Sequence, residues 1–354
     1  MQTDNSKKPW RAFESVSVAG SVTAEWKARL GPGYEAVMAF LRPNGKLAAS
    51  YPCTVCRGCG CAHDVVVHGP EDIVAVCHCE RGCETLALER SDIVVYELDR
   101  AALDSAVAGV LGLFREADTT TDVRGTTRIG VYSPYAGFRF PVYLTVQTEP
   151  DDFDDVVDGL LARNEEPFIL VAPTRDLCTV EAERRLTGRK ALFVPLSENV
   201  GFGDSCQLRL IRPLDEILEQ FRKANLPSPR EDDSLTFFPT PPDATWGDVS
   251  IRFVDGYTVS VKVKAVTGVL NYTQMGMASR KNGNPTVQWG LLRTFAEGHG
   301  TLDWSSPGAD RRNQKRRELL AANLRSFFRI ESDPFRLTRN GKGWQTRFSI
   351  FPDE

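Results

Sequence analysis

Residues 53–83 read CTVCRGCGCAHDVVVHGPEDIVAVCHCERGC and contain seven of the nine cysteines of this 354-residue chain. Three of its four histidines lie in the same stretch. Packing does not require such a density of cysteine, so the residues indicate ligation or cross-linking. Disulfides are rare in a reducing cytoplasm, and an odd number of clustered cysteines would leave one unpaired. The stretch therefore predicts a metal site.

The spacing of these cysteines is typical of tetrahedral zinc. Two thiolates in one turn bind the same ion as a second pair about twenty residues later, provided that a hairpin brings the turns together. Residues 63–79 supply such a hairpin, with a turn at Gly69-Pro70. The layout loosely resembles a zinc ribbon and implies Zn²⁺ as the cofactor. The candidate ligands are Cys53, Cys56, Cys59, Cys61, Cys77, Cys79 and Cys83.

The sequence does not select four ligands from these seven. The simplest set is Cys53 and Cys56 with Cys77 and Cys79. Cys61 and Cys83 are alternatives, and two zinc ions that share ligands are a further arrangement. An iron-sulfur centre or a thiol redox switch would replace zinc altogether. No general base stands out nearby, so the metal is predicted to stabilise a unit too small to fold alone.

The rest of the chain predicts a soluble, multi-domain α+β protein. The whole chain is 42% hydrophobic and 25% charged, which is average for globular proteins, and its length suits two or three domains. A helix capped at Asp99, with an apolar face from Leu103 to Phe114, closes the N-terminal unit, and alternating strands and helices then predict a small α/β domain. The predicted boundaries are 1–115 for a zinc-ribbon-like domain, 127–226 for the α/β domain, 227–244 for a Pro-rich linker and 245–354 for the last domain.

Charge is divided unevenly along the chain. The formal net charge is -4, but residues 1–244 carry a balance of -11 and residues 245–354 a balance of +7. A basic domain on an acidic body favours a polyanionic partner for that domain alone.

The basic domain begins with two alternating runs joined at Asp255-Gly256, which is a strong hairpin signal. A helix around residues 284–298, a long helix at 311–330 and a hairpin that turns at Asn340-Gly341 follow. This order resembles the winged-helix effector domain of the OmpR/PhoB class of response regulators. The resemblance implies a C-terminal winged helix-turn-helix, in which residues 313–330 form the recognition helix and residues 335–350 the wing.

The long helix combines an apolar stripe with a cationic face. Leu320, Leu324, Phe327 and Phe328 share one side, and residues 311–317 hold five cations in seven residues. The pattern and the resemblance predict a transcriptional regulator that binds double-stranded DNA. The candidate DNA contacts are Arg311, Arg312, Lys315, Arg316, Arg325, Arg329, Arg339 and Lys342.

Enzymatic chemistry has little support in the sequence. No phosphate loop or dinucleotide-binding motif occurs, and His299 is the only histidine outside the cysteine block. The acidic run 149–158 is more typical of a helix N-terminus than of a magnesium site. Two alternatives stay open. One is a nucleic-acid-processing or anti-phage defence component with a nuclease-like α/β domain that uses Asp154 and Asp155, and the other is a protein-interaction adaptor.

No window has the roughly 18 apolar residues of a membrane span, and the opening residues lack the apolar core of a secretion signal. The sequence therefore predicts a cytoplasmic location without a membrane partner. A protein partner for the acidic α/β domain and a homodimer remain open.

Overall fold

A computed structural model describes residues 7–15, 20–53, 61–79, 83–115, 121–203, 207–226, 237–279, 281–304 and 313–353. The chain forms two compact units. Unit 1 comprises residues 1–132 and 140–226, and unit 2 comprises residues 133–139 and 227–354. Both contain helices and sheets, which confirms the predicted mixed α+β class. Within the described residues, no helix has the length and apolar character needed to cross a membrane.

Unit 1 begins with short helices, continues through the cysteine-bearing strands and ends with alternating strands and helices. Its elements are α1 (Lys8–Ser15), β1 (Ser21–Val22), α2 (Thr23–Leu30), α3 (Tyr34–Val37), β2 (Leu41–Leu47), β3 (Ser50–Pro52), β4 (Ala62–Gly69), β5 (Asp72–Cys77), β6 (Leu86–Leu88), β7 (Val94–Leu98), α4 (Arg100–Val110), β8 (Thr126–Tyr132), β9 (Phe140–Thr145), α5 (Pro150–Arg163), β10 (Ile169–Ala172), α6 (Val180–Gly188), β11 (Leu192–Pro195), α7 (Leu196–Asn199), β12 (Val200–Phe202), β13 (Leu208–Leu210), α8 (Leu214–Ile217) and α9 (Glu219–Asn225).

Three main sheets form unit 1, with strand orders β1-β7-β2, β3-β4-β5-β6 and β11-β10-β9-β8. In the last of these, β9, β10 and β11 run parallel, while β8 is an antiparallel edge strand. All four residues of β10 are buried, as expected for a parallel strand that is covered on both faces. Strands β12 and β13 pair with each other in a small separate ladder.

Helix α4 begins where the sequence predicts. The Asp99 side chain accepts a hydrogen bond from the Ala102 backbone N–H at 3.0 Å, and Leu103 and Val107 are buried. The helix ends earlier than predicted, at Val110. Phe114 follows it in a bridge to Val131 and remains 44% exposed, so it is not part of the apolar helix face.

Unit 2 contains two sheets and two long helices among its described residues. Its elements are β14 (Val249–Phe253), β15 (Thr258–Val263), β16 (Val266–Asn271), α10 (Val287–Glu297), β17 (Thr301–Asp303), α11 (Asn313–Phe328), β18 (Phe335–Leu337), β19 (Gly343–Thr346) and β20 (Ser349–Phe351). The sheet orders are β16-β15-β14-β20 and β17-β19-β18. The hairpins predicted at Asp255-Gly256 and Asn340-Gly341 are both confirmed.

The core of unit 2 is built on α11. Leu320, Leu324, Phe327 and Phe328 are all buried, which confirms the predicted apolar stripe. The segment 133–139 also belongs to this unit, where the Ala136 N–H donates to the Thr240 carbonyl oxygen at 2.8 Å.

Candidate metal centre and cationic surface

The candidate metal centre lies at one end of the β3-β4-β5 ladder. Tyr51 of β3 is opposite His63 of β4, which is in turn opposite Cys77 of β5. The Cys53 N–H donates to the Cys61 carbonyl oxygen at 3.2 Å, which closes the same end of the ladder. The hairpin predicted at Gly69-Pro70 is therefore what brings residues distant in sequence together.

Four cysteine sulfurs lie together in this cluster, and three of the four spacings given next are close to those of metal ligands. The Sγ atom of Cys61 lies 3.7 Å from those of Cys77 and Cys83, while Cys79 Sγ lies 3.1 Å from Cys77 Sγ and 3.6 Å from Cys83 Sγ. Sulfurs bound tetrahedrally to one zinc at about 2.3 Å lie roughly 3.8 Å apart. The four thiolates are thus positioned to bind a single metal ion.

A second group joins a histidine to three cysteines. One ligand atom each from Cys53, Cys61, His63 and Cys83 lies within 4.8 Å of the others. The His63 side chain is fully buried, and its Nε2 has no hydrogen-bond partner. Its Nδ1 lies 3.4 Å from the Ala75 carbonyl oxygen. Because a carbonyl oxygen can only accept, Nδ1 carries the proton in this contact, and the lone pair of Nε2 is available to a metal ion. A buried polar atom without a partner is costly, and a metal ion would satisfy it.

Cys61 and Cys83 belong to both groups. Cys53, Cys77 and Cys79 of the predicted set also lie in the cluster, whereas Cys56 and Cys59 fall outside the described residues. These five cysteines and His63 are positioned to bind metal, and none of the described cysteines forms a disulfide.

His63 is the ligand candidate that the list of predicted cysteines misses. The other histidines of the block are exposed, with His78 Nε2 3.1 Å from an Asp64 carboxylate oxygen at the surface and His68 farther along β4. The register of β4 and β5 distinguishes His63 from His68 and His78. Only His63 is directly opposite a cysteine in the β4-β5 register.

Two other chemical candidates in unit 1 have ordinary structural roles. Burial raises the pKa of the Cys178 thiol to about 11, which disfavours the nucleophilic thiolate. Asp154 accepts hydrogen bonds from Arg185 at 3.0 Å and from the Thr179 hydroxyl at 3.1 Å, and Asp158 also pairs with Arg185. Among the described residues, the groups of three or more side chains positioned to hold a metal are the two cysteine-rich ones.

The predicted DNA contacts occupy different environments in unit 2. Lys315 and Arg325 are exposed on α11, and Arg339 and Lys342 are exposed in the turn between β18 and β19. Arg316 is half-buried, with a nitrogen 3.3 Å from Asn313 Oδ1. Arg311 and Arg312 lie outside the described residues.

Arg329 is packed against aromatic rings. It follows the last residue of α11 in a left-handed conformation with φ of 55°, and its guanidinium lies 4.2 Å from the Phe138 ring centre and 5.0 Å from that of Phe237. Burial lowers its pKa. Such a cation-π contact stabilises the unit and restricts the reach of the side chain.

Arg317, which is absent from the predicted set, joins α11 to the terminal hairpin. Its guanidinium pairs with Asp333 at 3.0 Å and lies 5.7 Å from the Phe335 ring centre, at the beginning of β18. These contacts place the first half of α11 beside the beginning of β18. Exposed cations lie along α11 and in the turn between β18 and β19. We call Lys315, Arg325, Arg339 and Lys342 the cationic surface.

No family model, curated protein or solved structure matches this chain.

Proposed function

We propose that the protein binds double-stranded DNA through the cationic surface of unit 2 and that zinc bound by the cysteine cluster stabilises unit 1. The observation that carries the DNA proposal is the contact of Arg317 with Asp333 and Phe335, which joins the cation-bearing helix to the beginning of a hairpin whose turn carries further cations. A helix in the major groove and a hairpin on the adjacent backbone form a common mode of DNA recognition. The resemblance to winged-helix effector domains extends the proposal to transcription regulation.

The charges on this surface are available to a polyanion. In the part of the chain that the structure describes, no carboxylate pairs with Lys315, Arg325, Arg339 or Lys342. By contrast, unit 1 engages many of its cations, for example Arg185 with two aspartates. Unpaired exposed cations attract phosphates at low energetic cost, because no internal ion pair has to be broken.

Zinc is the metal that best suits the donor set. Thiolates and imidazole are its usual structural ligands, and the sulfur spacings of 3.6 and 3.7 Å in the cluster are close to those of a tetrahedral ion. A small apolar cluster packs on the β3-β4-β5-β6 sheet, and its buried members are Val22, Tyr51 and Ala75. Metal binding would supply the folding free energy that such a small core lacks.

A salt titration of the full-length chain with a random-sequence duplex tests the DNA proposal. The Lys315→Glu/Arg325→Glu double variant should bind at least tenfold more weakly. The slope of log affinity against log salt should become about two units shallower, because two phosphate contacts are lost. A Lys262→Glu/Lys281→Glu variant is the matched control, since it makes the same charge change at two other exposed positions of unit 2.

Equal weakening in both double variants would mean that only net charge matters and would contradict a specific surface. Unchanged binding in the Lys315→Glu/Arg325→Glu variant would remove α11 from the interface. That result would favour the adaptor hypothesis, in which the basic surface binds an acidic protein.

A further inference from the structure

We infer that the cysteine cluster is a binuclear metal centre in which two ions share the thiolates of Cys61 and Cys83. This inference rests on the proposed binding of zinc by the cluster. Cys53 and His63 would complete the coordination of one ion, and Cys77 and Cys79 that of the other. Cys56 and Cys59 lie outside the described residues, and neither is needed to complete either group.

The composition of the two groups supports sharing. Each contains four ligand atoms within 4.8 Å of one another, which is the number that tetrahedral zinc requires, and Cys61 and Cys83 are common to both. The shared Sγ atoms lie 3.7 Å apart, close enough for both to bind the same ion. Thiolate sulfur has more than one lone pair and can bridge two ions, whereas an imidazole nitrogen has a single one, and His63 occurs in one group only.

A single ion would leave part of the cluster unsatisfied. An ion bound by Cys61, Cys77, Cys79 and Cys83 has a complete tetrahedral shell, and the buried Nε2 of His63 would still have no partner. An ion bound in the group that contains His63 would instead leave Cys77 and Cys79 without metal, with their sulfurs 3.1 Å apart. Two ions satisfy both groups at once.

Charge also favours two ions. Five thiolates with one divalent ion leave three negative charges in a half-buried cluster, whereas a second divalent ion reduces this excess to one. Repulsion between thiolates is strong where solvent is partly excluded, so a second ion stabilises the deprotonated cluster.

The metal content of the full-length chain tests this inference. After purification under reducing conditions and equilibration with zinc, native mass spectrometry should find two zinc ions per chain. The Cys77→Ser/Cys79→Ser variant should retain one, because it removes only the unshared ligands of one ion. Cys178→Ser is the control, since this cysteine lies outside the cluster, and it should retain two.

Cadmium-113 NMR of the wild-type chain tests the bridge without relying on a variant that folds. Two resonances that are scalar-coupled to each other are expected, because the coupling passes through a shared sulfur. One zinc per chain, or two uncoupled cadmium resonances, would overturn the binuclear centre and leave the zinc proposal standing. A chain that binds no metal, or that holds iron with acid-labile sulfide, would overturn both.

Discussion

Replacing Glu14 with glutamine should remove a pH dependence from the stability of unit 1. The Glu14 carboxylate is buried and accepts hydrogen bonds from the Thr174 backbone N–H at 2.9 Å and from the Thr174 hydroxyl. Burial raises its pKa from 4.5 to about 7 despite these hydrogen bonds. The folded state therefore holds a proton between these two pH values that the unfolded state has released.

The raised pKa determines the sign and the size of the effect. The stabilising contribution of protonated Glu14 is complete below pH 4.5, falls as the pH rises and is lost above about pH 7. A shift of this size corresponds to at most about 3 kcal/mol, since each pKa unit is worth 1.36 kcal/mol. Glutamine has nearly the same shape and does not titrate, so the Glu14→Gln variant should lack this fall.

Hydrogen exchange of α1, followed from pH 5 to pH 8 and corrected for the intrinsic rates, measures the effect locally. The opening free energy of the helix should fall by up to about 3 kcal/mol more in the wild type than in Glu14→Gln. A Glu71→Gln variant is the control, because Glu71 is exposed in the β4-β5 turn. Parallel pH profiles for the wild type and Glu14→Gln would refute the reasoning.

Three further predictions concern the remaining elements. Arg329→Leu should destabilise unit 2 by about 1–2 kcal/mol in urea unfolding followed by tryptophan fluorescence, because the cation-π contacts with Phe138 and Phe237 are lost. Asp99→Ala should cost about 1 kcal/mol in the same assay and Asp99→Asn much less, since asparagine can still cap α4. Prolonged chelation of the reduced chain should make the β3-β6 sheet sensitive to protease and leave the β14-β15 hairpin resistant, and added zinc should restore protection.

Local sequence signals predict the cysteine cluster and three of the hairpins. The density of cysteine marks the cluster, and the turn at Gly69-Pro70 predicts the hairpin that assembles it. The Asp255-Gly256 dipeptide likewise predicts the β14-β15 hairpin, although the observed register leaves three residues in the turn, between Val254 and Thr258. These features depend on residues close together in the chain, which is why the sequence reveals them.

Features that depend on distant parts of the chain are not apparent from the sequence. Residues 133–139 lie within the predicted α/β domain but belong to unit 2, where Phe138 packs on Arg329. A helical wheel places Arg329 on the cationic face of the long helix, but α11 ends one residue before it. The burial of His63 and the lack of a hydrogen-bond partner for its Nε2 are likewise not apparent from spacing, although its position opposite Cys77 in the hairpin distinguishes it from the other histidines of the block.

Metal binding and DNA binding, the two roles that we propose, belong to parts of the chain that carry opposite charge. The sheet that contains the cysteine cluster carries exposed carboxylates at Asp64, Glu71 and Asp72, and the proposed centre of five thiolates and two divalent ions would itself be negative. Both would repel phosphates, so the metal centre is unsuited to contact DNA directly. The four residues of the cationic surface lie in unit 2, on elements that contain none of the cluster residues. Metal loss should therefore act on DNA binding only through the folding of unit 1, whereas reversal of Lys315 and Arg325 should weaken binding and leave the metal content unchanged.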